Sequence, residues 1–278
     1  MNHRILVDSC TDLPEHVRKE PHFRIIPLSL MVDEEIFVDN DQFNQGEFLK
    51  AMKESHNSPK SACPSPEDYM KEFAEDGDTY IVTLSSALSG SYNSAELAKR
   101  LYLEENPKKN IEIFDSRSAS VGQALIAMKI NELIQAGNVF DDIVKKVNKF
   151  RSEMKTKFVI ESLDNLRKNG RLSNLQAIIA NVLNIKPVMA GTTEGTIMKL
   201  DQARGITKAL ISMAKIIEKD VIRPQERILA IAHCNCIERA HFIKDEIMKR
   251  VPFKDCFIVN TAGVSTMYAN EGGIIAAY

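Results

Sequence analysis

Short apolar runs alternate along the chain with longer segments in which apolar residues recur at helical spacing. Residues 5–7, 79–84 and 111–114 are runs of the first kind and predict buried strands. Residues 121–134 are of the second kind and predict a helix that Gly137 ends. Strands that alternate with helices in this way are typical of an α/β fold.

The second half of the chain predicts elements of the same two kinds. Two apolar stretches, 185–189 and 196–200, predict a pair of strands joined by a turn. Helices are predicted over 206–219 and through the apolar residues of 175–183. The last residues, 271–278, are small and apolar, so we expect a buried terminal element.

Proline marks two positions in the first half. Residues 25–32 predict a single strand in which Pro27 indicates a sheet edge or a bulge. Pro66 follows Ser65, and proline in the first turn after a serine predicts the start of a helix over 66–73.

A loop rich in hydroxyl groups, residues 83–94, joins the strand over 79–84 to a helix that opens near Ser91. A helix start carries free backbone N–H groups and the positive end of the helix dipole. We therefore predict that this loop binds a small anion such as phosphate or a carboxylate. An ordinary Ser-rich turn that caps the helix is the alternative.

Length and composition narrow the class of protein. For 278 residues two domains are the better expectation, and we place them at 1–155 and 156–278. A net charge of −2 without a basic block gives no electrostatic case for a nucleic-acid partner. The start of the chain has no signal-peptide pattern and no apolar run spans a bilayer, which predicts a cytoplasmic protein without membrane insertion.

The five cysteines are scattered, which favours reduced thiols over a disulfide framework. Residues 233–236, His-Cys-Asn-Cys, have the composition of a metal site. They follow an apolar run and lack a second ligand cluster, so small side chains at a strand end are the favoured interpretation.

Motifs occur in order over nearly the whole chain. They are ILVDSCTDLP at 5–14, IPL at 26–28, SACPSPED at 61–68, LSSALSGSY at 84–92, FDSRSAS at 114–120, NGRLS at 169–173 and LNIKP at 183–187. Together these segments resemble the DegV family of bacterial fatty-acid-binding proteins.

This resemblance implies two α/β domains with a long-chain fatty acid in a tunnel between them, its carboxylate held by hydroxyl groups. It implies a carrier without catalysis or cofactor of its own, which presents the acid to a separate ATP-dependent fatty acid kinase for phospholipid synthesis. The family's two hydroxyl positions correspond to Ser61 and Ser89. Arg171 and Arg204 correspond to basic positions on the kinase-facing surface, and solvated arginines are the equal alternative.

The chain departs from the family pattern at the expected headgroup site. Ala62 and Cys63 stand where the family usually has a second hydroxyl and a glutamine. Near the C-terminus, Tyr268 stands at the position of a histidine that helps to bind the carboxylate, and residues 270–272 replace a Gly-Pro-Gly. Tyrosine donates a hydrogen bond but does not become cationic near neutral pH. We therefore expect Tyr268 to contact the carboxylate as a neutral donor.

Apolar residues from both halves are candidates for the tunnel wall, although core packing is the simpler interpretation of each one. These candidates are Ile26, Leu28, Leu125, Met128, Leu163, Ile178, Ile179, Val182 and Leu183.

Two other functions fit parts of the sequence. A serine acyltransferase or hydrolase would use Ser89 or Ser91 as its nucleophile, but this needs a nearby base and the Gly-x-Ser-x-Gly spacing is missing. A nucleotide or sugar-phosphate binder would use the same loop, but the chain has neither a P-loop nor a dinucleotide-binding glycine motif.

Overall fold

The computed structural model describes residues 3–73, 77–172 and 184–278. The strands are numbered in chain order. They are β1 (His3–Asp8), β2 (Phe23–Ile26), β3 (Ser29–Val32), β4 (Glu35–Val38), β5 (Lys60–Ala62), β6 (Asp78–Thr83), β7 (Ile111–Asp115), β8 (Thr156–Val159), β9 (Ile185–Gly191), β10 (Ile197–Arg204), β11 (Ile228–His233), β12 (Asp255–Asn260) and β13 (Ile274–Ala277).

The α-helices are numbered in the same way, and a short 3-10 helix covers Pro224–Glu226. They are α1 (Glu15–Arg18), α2 (Gln45–Glu54), α3 (Pro66–Met70), α4 (Ser91–Glu105), α5 (Val121–Gln135), α6 (Phe140–Glu153), α7 (Asp164–Lys168), α8 (Ile206–Asp220), α9 (Ile237–Met248) and α10 (Gly263–Ala269).

The strands form three sheets. The N-terminal sheet is parallel throughout and has the strand order β2-β1-β6-β7. The C-terminal sheet has the order β10-β9-β8-β13-β11-β12 and is antiparallel except for the pair β11 and β12. A small antiparallel sheet, β4-β3-β5, stands beside them. Parallel strands need crossover connections, which the helices supply, so the chain has the α/β architecture that the alternation predicts.

Helix α5 lies between the two large sheets and packs against both. On one side, Ile126 belongs to an apolar cluster with Val82 of β6. On the other side, Val121 and Leu125 belong to a cluster with Ala230 of β11. Every strand of the C-terminal sheet follows residue 155, and the domain boundary placed there remains a prediction.

The single strand predicted over 25–32 is wrong, because the structure divides it at Pro27. β2 ends at Ile26 as the edge strand of the N-terminal sheet, and β3 begins at Ser29 in the small sheet. Proline has no N–H to donate to a sheet, so the chain leaves the edge there. Pro27 did mark an edge, as predicted, but the segment after it joins a different sheet.

Several local predictions are confirmed. The two strands of the second half pair as β9 and β10, and the long helix beyond them is α8. The terminal residues form β13, which lies inside the C-terminal sheet between β8 and β11. The helix expected over 66–73 is shorter, because α3 ends at Met70. The helix predicted through 175–183 lies outside the described residues.

No helix in the described part is both long and apolar enough to cross a lipid bilayer. Within the same residues, no group of three or more His, Cys, Asp or Glu side chains is arranged to hold a metal ion.

Candidate functional site

Three loops meet at the carboxyl ends of the parallel strands β1, β6 and β7. The Asp8 carboxylate, at the end of β1, accepts a hydrogen bond of 2.6 Å from the Leu84 amide. The Ser85 amide in turn donates to the Ser118 carbonyl at 2.9 Å. This edge of an open α/β sheet is where ligands bind. The hydroxyl-rich loop therefore stands where the sequence predicted a binding site.

A cavity separates these loops from the C-terminal sheet, and its accessible lining is almost entirely apolar. The loops contribute Leu84 and Ala119, and the sheet contributes Phe158 and Ile275. The other lining residues are Cys10, Leu88, Arg117, Ser118, Ser120, Thr156, Ile160, Leu166, Arg171, Gly191, Gly195, Thr196, Ile197, Val264, Ser265, Tyr268 and Ala269.

Two of the predicted carboxylate ligands lie together beside this cavity. Ser61 ends up on β5 and Tyr268 on α10, and their hydroxyl oxygens are 3.3 Å apart. Tyr268 also lines the cavity. One of the two hydroxyl groups donates its proton to the other in this hydrogen bond, so the proton of the second group can be donated to a ligand. The pair can thus hold a carboxylate oxygen at the edge of an apolar space.

Ser89 lies on the neighbouring loop, and the hydrogen bonds of its side chain in the described residues go to Ser91. The two hydroxyl oxygens are 3.1 Å apart, and the Ser91 amide donates to the Ser89 Oγ at 3.2 Å. The loop that carries Ser61 contacts this segment, because a Cβ built on Gly90 would lie 2.9 Å from the Cys63 Sγ. The first amide of α4 is thus bonded to a side chain.

The two arginines predicted to face a partner lie in different surroundings. Arg204 is exposed at the end of β10. Arg171 is half-buried and lines the cavity. Its guanidinium carbon lies 5.9 Å from the centre of the Tyr268 ring, and its Nε donates to the Leu88 carbonyl at 3.0 Å. The structure therefore brings Arg171, and not Arg204, to the Ser61–Tyr268 pair.

Helix α10, which carries Tyr268, is held by two buried carboxylates from the first half. Asp39 accepts from the Gly263 and Val264 amides at 2.7 and 2.9 Å, where α10 begins. Asp12 accepts from the Ala262 amide at 2.7 Å. These bonds satisfy amide groups that a helix start leaves without an intrahelical partner. They fix the helix that supplies one wall of the cavity.

The buried carboxylates near the cavity have raised pKa values. Burial raises the pKa of Asp8 to about 6, although hydrogen bonds from Leu84 and Gln123 oppose the shift. Burial likewise raises the pKa of Asp12 to about 7, against hydrogen bonds from Ala262 and Ser120. Desolvation disfavours the charged form of an acid, and these donors are neutral groups.

The comparisons with known proteins cover the chain from end to end. A family model described as an uncharacterised protein of the DegV family matches residues 2–278. A DegV domain-containing protein of Streptococcus gordonii is 37% identical over 280 residues, covering 100% of this chain and 99% of the relative. The chain belongs to the DegV family. The resemblance inferred from the sequence motifs is confirmed.

Solved DegV structures share the fold. A protein of the DegV family from Ruminococcus gnavus, described with vaccenic acid, has a TM-score of 0.97 and 44% identity, with 99% of each chain covered. The Fatty Acid Kinase (Fak) B3 protein of Streptococcus pneumoniae, loaded with linoleic acid, has a TM-score of 0.93 and 33% identity. That match covers 100% of this chain and 99% of the other. The predicted DegV-like α/β architecture is confirmed.

The described wall of the cavity in this DegV protein is built from other residues than the predicted ones. Leu28 and Leu125 are buried in apolar clusters that include lining residues of the cavity, whereas Ile26 is buried in a cluster that includes none of them. Met128 and Leu163 are partly buried, and only the cluster that Leu163 packs against includes lining residues of the cavity. Apolar periodicity marks the buried face of an element, and it does not distinguish a packed core from a cavity wall. Four more predicted wall residues lie outside the described residues: Ile178, Ile179, Val182 and Leu183.

Four residues of the cavity lining belong to a sequence motif that the prediction of tunnel-lining residues did not use. Arg117, Ser118, Ala119 and Ser120 belong to the segment at 114–120 that contributed to the family resemblance. Because this segment follows β7, it lies at the carboxyl edge where ligands of α/β sheets bind. Their position after a strand of the sheet would therefore have predicted these residues as cavity-lining, whereas hydrophobicity did not.

Proposed function

We propose that this DegV protein binds a long-chain fatty acid in the cavity between its two large sheets, with the carboxylate at the Ser61–Tyr268 pair. The observation that carries the proposal is the apolar cavity with two adjacent hydroxyl groups beside it. The related proteins described with vaccenic and linoleic acid support the same ligand class.

The alkyl chain would supply most of the binding free energy. Burial of about 15 methylene groups at about 0.8 kcal/mol each is worth about 12 kcal/mol before costs. Loss of chain and rigid-body freedom offsets a large part of this gain. The polar groups then orient the acid more than they add affinity.

The acid's headgroup would contact Ser61, Tyr268 and, from the adjacent loop, Ser89. Hydroxyl donors bind carboxylate oxygens while leaving much of the negative charge on the ligand. The ionised carboxylate is the nucleophile for a later phosphoryl transfer. A headgroup site that keeps the acid ionised therefore suits a protein that presents its ligand to another enzyme.

We infer further that the protein presents the bound acid to a separate ATP-dependent fatty acid kinase. The similarity to the Fak B3 protein supports this inference. Arg204 would contact the kinase, because it is exposed on the edge strand β10 of the C-terminal sheet. The chain itself would carry out no catalysis in this scheme.

The alternative of a nucleophilic serine receives no support from the contacts. A serine nucleophile needs a base within hydrogen-bond reach. In residues 3–73, 77–172 and 184–278, the hydrogen bonds of the Ser89 and Ser91 side chains involve no histidine. His233 instead accepts from the Cys236 amide through its Nδ1.

Lipid extraction and mass spectrometry of the purified protein test ligand binding directly. We expect a near-stoichiometric long-chain acid after gentle purification from a bacterial host. Gly191→Leu should reduce this content, because Gly191 lines the cavity and an added Cβ meets only the Arg117 carbonyl oxygen, at 3.8 Å, in the described residues. Ala136→Leu, at an exposed site beyond α5, is the matched control.

The outcomes separate the two parts of the proposal. An empty wild-type protein that also fails to take up oleate would overturn fatty acid binding. Kinase presentation needs a second assay, in which the oleate-loaded protein, a purified fatty acid kinase and ATP are combined and ADP release is followed. Release that does not depend on the added protein would contradict a carrier role while leaving ligand binding intact.

A further inference from the structure

Arg171, for which the family resemblance implies a partner-facing position, lines the cavity. It follows α7 and lines the cavity with Tyr268 and Leu88. Its Nε donates to the Leu88 carbonyl, and its Nη1 donates to the Asn169 carbonyl. The guanidinium group is thereby held in place next to the Tyr268 ring. Leu88 immediately precedes Ser89, so Arg171 connects the elements that carry the predicted headgroup contacts.

The charge of Arg171 has no carboxylate partner in the described residues. Residues 173–183, which follow it outside that part, contain neither Asp nor Glu. Two other partly buried cations of the same half are paired: Arg239 and Lys186 contact Glu161 at 2.9 and 2.6 Å. A half-buried cation beside an apolar cavity without an acid partner is suited to pair with a negative ligand.

The donor count of the guanidinium group allows such a pairing. An arginine side chain has five N–H donors in a planar fork, and two nitrogens of Arg171 already donate to carbonyls. These bonds fix the orientation of the fork and leave N–H groups for a ligand. The planar fork matches the geometry of a carboxylate.

We propose that Arg171 supplies the positive charge that holds the fatty acid's carboxylate, while Ser61 and Tyr268 donate the neutral hydrogen bonds. This inference rests on the proposed fatty acid binding. It accounts for a site in which tyrosine stands at the position of a histidine, because the cation comes from a different element. It also defines the ligand class, because the site selects carboxylic acids over alcohols of the same chain length.

Paired ligands test this assignment in the full-length protein. After removal of bound lipid, the dissociation constants of oleate and oleyl alcohol are measured below their aggregation limits. The wild type should prefer oleate. Arg171→Gln should weaken oleate binding roughly ten- to hundredfold while oleyl alcohol binding stays within about twofold. Arg171→Lys should recover part of the preference, because it keeps the charge and loses the fork.

Two further variants make the result specific. Arg100→Gln removes an exposed arginine of α4 and should leave both affinities as in the wild type. Arg117, the other arginine of the lining, provides the competing location for the headgroup. Loss of the oleate preference in Arg117→Gln, with its retention in Arg171→Gln, would overturn the assignment and place the carboxylate elsewhere in the cavity.

The remaining outcomes are equally decisive. If Arg171→Gln weakens oleate and oleyl alcohol by the same factor, Arg171 has only a structural role and the proposal is wrong. If the wild type binds oleate and oleyl alcohol equally well, no cation distinguishes the carboxylate from the alcohol and the proposal is wrong. If the wild type binds neither ligand, the proposed function itself fails. Thermal unfolding of each variant identifies any that does not fold, in which case Arg171→Lys carries the test.

Discussion

Buried and partly buried acids have different partners in the two halves of this molecule. Near the N-terminal sheet, Asp12 accepts hydrogen bonds from an amide and a hydroxyl, and burial raises its pKa to about 7. In the C-terminal half, Glu161 accepts from Lys186 and Arg239. Burial by itself would raise the pKa of Glu161, but these cations lower it below the ordinary value.

Neutral donors and cations have different effects on a carboxylate that is removed from water. Neutral donors orient a carboxylate and satisfy its oxygens, but they do not neutralise its charge, so desolvation dominates. Cations neutralise the charge and stabilise the ionised form. The neutral arrangement holds α10 and the cavity wall, whereas the paired arrangement ties β8 to the elements around it. This contrast predicts losses of different size when each kind of acid is replaced.

Removal of the Asp39 carboxylate should cause the largest loss of stability. Asp39→Ala leaves the buried Gly263 and Val264 amides without their acceptor. An unsatisfied buried donor costs about 1–3 kcal/mol, so we expect a loss of about 4 kcal/mol in the free energy of unfolding. Urea denaturation measures it. Asp39→Asn keeps one acceptor oxygen and should lose less; equal losses in both variants would contradict this account.

The pH dependence of stability should identify Asp12. Because its folded pKa of about 7 lies above the ordinary value of 3.8, the folded state binds more protons between these limits. Its contribution to the free energy of unfolding therefore falls as pH rises through this window. Asp12→Asn should reduce the decline between pH 5 and pH 7 by about 2 kcal/mol.

The quantity to compare is the difference in pH dependence between wild type and Asp12→Asn, and not the pH dependence of the wild type alone. Asp8 acts in the same direction as Asp12, because burial raises its pKa to about 6. Burial lowers the pKa of His233, which acts in the opposite direction. Both are present in wild type and variant, so they cancel in the difference. Identical pH slopes for the two proteins would show that Asp12 is ionised throughout.

The paired acid should show a smaller effect that depends on salt. Glu161→Gln removes the charge between Lys186 and Arg239, and these groups are partly solvent-exposed. We expect a loss of about 1 kcal/mol at low salt, which becomes smaller at high ionic strength. Asp39→Ala should show no such salt dependence, because its bonds are to neutral amides. If the loss in the free energy of unfolding of Glu161→Gln does not depend on salt, the two regions do not differ in the way proposed.

The smallest effect should come from a single hydroxyl group of the proposed headgroup site. Tyr268→Phe removes the group that lies 3.3 Å from the Ser61 Oγ and should weaken oleate binding by about three- to tenfold. Tyr102→Phe, a half-buried tyrosine of α4 outside the cavity lining, is the control. Tyr268→His should restore affinity as pH falls below about 6.5, where histidine becomes cationic. An oleate affinity that is equal in the Phe variant and the wild type would exclude Tyr268 from the headgroup site.

Local chemistry explains why many elements could be predicted. The alternation of strands and helices, the start of α3 at Pro66 and the pairing of β9 with β10 all follow from short segments. The prediction of a single strand over 25–32 was wrong because the hydrophobic pattern on each side of Pro27 is that of a strand. The change of sheet at that point depends on long-range hydrogen bonds. The density of hydroxyl groups likewise predicted a binding loop over 83–94, but it did not reveal that Ser89 bonds to Ser91.

The sequence by itself determined the class of fold, the family and the two hydroxyl residues, Ser61 and Tyr268, that meet at the cavity. Only the tertiary structure decided which apolar residues face that cavity, that β13 lies inside the C-terminal sheet, and that Arg171 stands beside Tyr268. The physical reason is that periodicity and propensity act over a few neighbouring residues. A cavity wall and a sheet order arise from contacts between segments that are distant in the chain.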